Sequence, residues 1–128
     1  MIPVGVRIFV CTEPIDMRYG FDRLAATARM RVGEDPQQGG ALFVFGSRSA
    51  KRLKILWFDR NGYVLLYKRL HGAFFELPTR PSGSVRIEAK ALGVLLAGVE
   101  RERRRRSQPT RTSARLINLQ LRRAKTLQ

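Results

Sequence analysis

At 128 residues the chain is in the range of one domain, and its 44% hydrophobic content is enough to bury a core. Its 25 Lys and Arg against 10 Asp and Glu give a formal net charge of +15 and a pI near 11.5, so at neutral pH it repels itself and attracts nucleic acid or an anionic membrane. No apolar run is long enough to span a bilayer, the N-terminus lacks the pattern of a signal peptide, and a single cysteine, Cys11, excludes an internal disulfide and a cysteine-cluster metal site. A cytoplasmic protein that does not enter the membrane is expected.

In chain order, residues 4–11 (VGVRIFVC) are apolar and β-branched enough for a strand, with Val6, Ile8 and Val10 on one face. Residues 14–24 (PIDMRYGFDRL) open a helical segment in which Phe21, Leu24, Ala25, Ala28 and Val32 recur at helical spacing. Asp16 is placed to cap it and Asp22 to favour its positive end, while Gly20 leaves the exact start open. Residues 33–40 (GEDPQQGG) form a loop, residues 41–45 a buried strand, and residues 46–50 lead into the stretch around which the chain is arranged.

That stretch, residues 51–70 (KRLKILWFDRNGYVLLYKRL), reads as a β-hairpin. The tetrapeptide Asp59-Arg60-Asn61-Gly62 suits a type I turn with Gly62 supplying the positive φ; a two-residue turn centred on Asn61-Gly62 is the alternative and would slip the register by one. Lys51, Arg52, Lys54, Lys68 and Arg69 gather at the end far from the turn. Trp57, Phe58, Tyr63 and Tyr67 are aromatics able to stack on exposed bases, with Trp57 and Phe58, in an alternating strand, read as core. Residues 71–78 (HGAFFELP) predict a short edge strand and residues 79–84 a loop. From Glu88, Leu92, Leu95, Leu96 and Val99 fall at helical spacing, predicting a helix that covers one sheet face and stops near Gly98. The elements make an α+β fold: a small, mainly antiparallel sheet built around a central β-hairpin, with one helix near each end of the domain.

The charge divides the chain. Residues 1–100 hold 15 basic and 9 acidic groups, and residues 101–128 hold 10 basic and one acidic. We read 1–100 as the folded domain and 101–128, beginning RERRRRSQPT, as a basic, disordered tail.

The runs PIDMRYGFDRLAA and LFVFGSRSAKRLKILWFDRNGYVLLYKRL, followed by Phe75-Glu76-Leu77-Pro78 and the closing ALGVLLAGVE, resemble in order and spacing the TnpB, or Orf2-like, accessory proteins of the bacterial insertion-sequence family numbered sixty-six, which are distinct from the RNA-guided nuclease that shares the name. The resemblance spans residues 2–100. Its motif positions here are Asp16, Met17, Arg18, Gly20, Phe21, Asp22, Trp57, Asp59 and Gly62. Two departures stand out: Gly72 is one place earlier than the family's glycine before Phe75, and Glu88 occupies a position where Ser or Thr often caps the last helix. The resemblance implies a role in transposition beside a separate, larger transposase encoded by the same element.

Asp16, Asp22 and Asp59 are the acids a metal-dependent nuclease would need, but a helix start and a turn are where carboxylates serve the backbone. His71 has no second histidine to pair with, and Ser47, Ser49 and Tyr67 have arginine neighbours as most hydroxyls in so basic a chain do. No glycine loop carries the lysine and hydroxyl of a phosphate cradle. We expect no catalytic residue, no metal, no cofactor and no small-molecule substrate. The candidate DNA contacts are Arg48, Lys51, Arg52, Lys54, Lys68 and Arg69, with Arg103, Arg104, Arg105 and Arg106 of the tail, and Arg18 and Arg23 as secondary ones. A non-enzymatic accessory factor that binds DNA at the insertion-sequence ends is the leading expectation; the alternative is a protein-interaction module that organises the transposase, with incidental nucleic-acid binding.

Overall fold

A computed structural model describes residues 5–80 and 83–100. Its elements are β1 (Arg7–Cys11), α1 (Phe21–Thr27), β2 (Ala41–Gly46), β3 (Arg52–Asp59), β4 (Gly62–Arg69), β5 (Ala73–Phe74), β6 (Ser84–Ile87), α2 (Ala89–Ala97) and β7 (Val99–Glu100). Five strands form one sheet in the order β4-β3-β2-β1-β6, and β5 pairs with β7 in a separate two-stranded ribbon. Only β1 and β2 run parallel, joined by α1; the other neighbours in the large sheet are antiparallel. The α+β expectation holds, with the hairpin central in the chain and its β4 strand at one edge of the sheet.

Both faces of the sheet are covered, which explains why all six residues of β2 are buried despite the usual alternation of strands. Ile8, Val10, Leu42, Val44, Leu53 and Ile55 pack against Leu92 and Leu95 of α2. Phe43, Phe45 and Leu56 turn the other way and meet Leu24, Ala25 and Ala28 of α1, with Cys11 beside them. Burial pushes the Cys11 thiol pKa up, as expected for a small packed group. Fully burying one such Leu, Ile or Phe is worth about 1.5–3 kcal/mol, so the two helices hold the sheet mainly through these few contacts. Trp57 is partly buried against the α2 side, and Phe58 meets Tyr63 edge-on at 5.1 Å.

Several local expectations need correction. The helix starts at Phe21 with Gly20, not Asp16, as its N-cap. Phe21 is 47% exposed and stacks on Tyr63 of β4, so it lies outside the α1 core stripe. The turn closes on Asp59 paired with Gly62, which selects the tetrapeptide register and rules out the slipped one. The left-handed residue within it is Arg60, at φ 55, rather than Gly62. Residue 84, assigned to a loop, opens strand β6, which pairs with β1 at the second sheet edge.

α1 runs on through a π turn, Ala28–Val32, to the left-handed Gly33. At the other end of the domain, α2 begins after Glu88, whose side chain makes no capping bond. It stops at Gly98, where φ is 75 and an added Cβ would lie 2.7 Å from Leu70 Cδ1. Glycine is needed there for both reasons. The close approach lays Val99 and Glu100 beside β5, next to the Arg69 end of β4. No helix among the described residues is long and apolar enough to cross a membrane.

Candidate nucleic-acid interface

The end of the hairpin far from its turn is a built structure. Ser47 N–H donates to the Arg52 carbonyl at 2.9 Å and Ala50 N–H to the Ser47 carbonyl at 3.0 Å, closing the β2–β3 loop, with Ala50 in a left-handed conformation at φ 61. Leu70 N–H donates to the Lys51 carbonyl at 2.8 Å and Phe75 N–H to the Ala50 carbonyl at 2.6 Å. These bonds tie the chain after β4 to the same loop. The Ser47 hydroxyl accepts from Arg52 N–H at 3.1 Å and lies 3.2 Å from the Ser49 hydroxyl.

Between the two loops lies an open cleft of about 810 Å³ lined by Ser47, Arg48, Ser49, Lys51, Arg52, Arg69 and His71, with Ile15 and Met17 among the other lining residues. Among the described residues, its lining holds four cations and no carboxylate. Arg52 and Arg69 are directly opposed across the strand pair, an arrangement that costs free energy through like-charge repulsion. Among the described residues, the ion pairs are Arg7–Glu34, Arg18–Asp16, Arg29–Asp35 and Arg31–Glu13, none of which involves a cleft cation. Arg52 does touch the Tyr67 hydroxyl, at 3.4 Å. His71, without a partner histidine in the sequence, joins the cleft lining; no local sequence signal marks it, because its neighbours there come from the β2–β3 loop.

Two of the six hairpin candidates have other tasks. Lys54 is 6% exposed, and its ammonium donates to the carbonyls of Met17 at 2.6 Å and Tyr19 at 2.8 Å while sitting 4.9 Å above the Tyr67 ring. It fastens the segment before α1 to the hairpin, and so is withdrawn from any ligand. Lys68 donates to the Leu96 carbonyl at 2.7 Å, at the end of α2 where the helix dipole favours a cation. The candidate contacts on the hairpin end therefore reduce to Arg48, Lys51, Arg52 and Arg69. Arg103, Arg104, Arg105 and Arg106 lie outside the described residues.

The secondary candidates are also engaged. Arg23 stacks on the Tyr19 ring at 4.8 Å. Arg18 grips Asp16, whose carboxylate accepts from the guanidinium at 2.7 Å and from Arg18 backbone N–H at 2.9 Å. Those two bonds from Arg18, side chain first, lower the Asp16 pKa from the ordinary 3.8 to about 2. Because the folded-state pKa is depressed, whatever stability the pair contributes is present above about pH 4 and is lost as the pH falls through about 2. A carboxyl NMR titration of Asp16 should show its midpoint near 2, and Arg18→Ala should return it towards the ordinary carboxylate range. A midpoint unmoved by Arg18→Ala would show that the pairing is absent in solution. Asp22 stands in the first turn of α1 and Asp59 closes the hairpin turn, and among the described residues no three His, Cys, Asp or Glu side chains gather in a group able to hold a metal ion.

The motif segments meet physically. Ile15 N–H donates to the Gly46 carbonyl at 3.0 Å, Lys54 holds Met17 and Tyr19, and Phe21 covers Tyr63. The segment 14–21 and the hairpin thus form one packed unit around the cleft. A family model described as "IS66 Orf2 like protein" matches residues 6–106. The protein y4hO of Sinorhizobium fredii (strain NBRC 101917 / NGR234) is 37% identical over 102 residues, covering 78% of this chain and 88% of the relative. The protein y4jC of the same strain is 31% identical over 96 residues, covering 75% and 81%; both carry the name "Uncharacterized protein". No solved structure matches the chain. With a family match that runs from the first strand past the last described residue, the chain belongs to the IS66 Orf2-like family of insertion-sequence accessory proteins.

Proposed function

We propose that this chain is a non-catalytic accessory factor of transposition that holds DNA phosphates in the cleft at the hairpin end and thereby assists the transposase of its element. The observation that carries the reading is the quartet Arg48, Lys51, Arg52 and Arg69 around a cleft where, among the described residues, they have no ion-pair partner and the lining has no carboxylate. A fold that sets Arg52 against Arg69 accepts a repulsion that a bound polyanion relieves. Guanidinium groups match phosphate oxygens in bidentate fashion, and the Ser47 and Ser49 hydroxyls add neutral donors beside them.

The folded unit is taken to end near residue 100, with residues 101–128 supplying ten further cations that attract any DNA sequence. In this division of labour the tail raises affinity, and the rigid cleft orients side chains on the backbone of a particular site. The test is fluorescence-anisotropy titration of element-end and scrambled duplexes by the wild type and by the variant with Arg48, Lys51, Arg52 and Arg69 each changed to Gln. Binding that weakens in the variant, with a shallower salt dependence, supports the reading. Unchanged binding to both duplexes refutes it.

A further inference from the structure

We infer that two copies of this chain pair through the free edge of β4, antiparallel about Leu65, to make one continuous sheet. Among the described residues, β4 has β3 on one side and no strand on the other. Natural edge strands are commonly blunted by a charge, a proline or a bulge. Here residues 62–67 (GYVLLY) contain neither charge nor proline and pair with β3 in unbroken register. Three of the large apolar side chains the structure leaves exposed are on this strand: Val64 at 36%, Leu66 at 38% and Tyr67 at 51%.

The occupant is identified by the strand's own chemistry. Leu70 N–H bonds back to Lys51, so by the alternation of an antiparallel pair the even-numbered residues of β4 face β3, and Tyr63, Leu65 and Tyr67 aim their N–H and C=O groups outward. Tyr-Val-Leu-Leu-Tyr is symmetric in kind about Leu65. An antiparallel second copy centred there sets Leu65 against Leu65, Tyr63 against Tyr67 and Val64 against Leu66, each of the latter pairs occurring twice. Aromatic and aliphatic cross-strand pairs of this type are favourable, and the outward-facing Leu65 and Tyr residues are in the hydrogen-bonded positions. The charges agree as well. In this register Arg69 falls opposite Asn61, and Lys68 falls opposite Gly62, the cross-strand partner of Asp59. No cation faces a cation.

The interface is short, and two copies each at +15 repel, so a dissociation constant on the order of micromolar is expected. The repulsion gives the dimer a signature of its own: added salt screens it and strengthens pairing, whereas salt weakens binding to DNA. Sedimentation equilibrium of the full chain, without DNA, should therefore show a mass rising from 14.6 kDa towards twice that value with concentration, and rising further with salt. Leu66→Lys places a charge at the edge twice per dimer and should weaken pairing at least about tenfold. If that variant loses its near-ultraviolet circular dichroism, the milder Leu66→Thr carries the test, with a smaller weakening expected. A chain that stays monomeric to about 100 µM in moderate salt, or a dimer that both folded variants leave intact, overturns the inference. Because no DNA is present, failure of the DNA-binding reading leaves this result untouched.

Discussion

Replacing Lys54 with methionine should destabilise the protein by about 2–4 kcal/mol, a change larger than any other single surface-charge substitution in the hairpin. Methionine keeps most of the stem volume but removes the ammonium, leaving the carbonyls of Met17 and Tyr19 without the donor they share. A hydrogen bond to a charged donor contributes about 1.5–3 kcal/mol, and an orphaned buried acceptor costs its own desolvation. Two such bonds would give more, except that the site is part-buried and water can reach the carbonyls once the chain relaxes. For a domain of this size the loss corresponds to a fall in Tm on the order of 10–20 °C. Urea unfolding of the two proteins measures it. A loss under about 1 kcal/mol would show that Lys54 behaves as an ordinary exposed cation.

The second large effect lies in the salt dependence of DNA affinity. Each phosphate neutralised on a duplex contributes roughly −0.9 to the slope of log affinity against log salt. If about half of the ten tail cations engage, deleting residues 101–128 lowers the slope by roughly 4–5. The change of Arg48, Lys51, Arg52 and Arg69 to Gln lowers it by at most about 4. Lys54 should add nothing to either figure, because its ammonium is held by carbonyls rather than offered to phosphate. The two changes differ in kind: removing the tail should weaken all sequences alike, whereas removing the rigidly held cleft cations should weaken most the duplex whose backbone shape they fit.

Much of the hairpin was legible in the sequence because it is local. Apolar runs flanking Asp59-Arg60-Asn61-Gly62 announce a hairpin, and a hairpin carries its register with it once the turn is chosen. Even there, pattern placed the left-handed residue at Gly62, whereas the twist of the strand pair demands it inside the two-residue turn, at Arg60. What pattern could not see was partnership at a distance. Lys54 and Lys68 look like solvent-facing cations until the carbonyls of Met17, Tyr19 and Leu96, between 28 and 37 residues away, arrive beside them. Strand β6 has four residues and exists because β1 offers it an edge. Asp16 was read as a helix cap from its position before an amphipathic run; in the fold its carboxylate turns to Arg18 instead, a local bond that competes with capping.

In the proposed division of labour the rigid cleft, and not the tail, confers preference for the ends of the element. The most direct measurement is the ratio of affinities for element-end and scrambled duplexes, at one fixed salt concentration, for the wild type and for the folded variant with Gln at Arg48, Lys51, Arg52 and Arg69. The wild type should prefer the ends, and the ratio should fall towards unity in the variant. A variant that stays folded and keeps the wild-type ratio would contradict that division of labour, and so would a wild type whose preference for ends appears only when transposase is added.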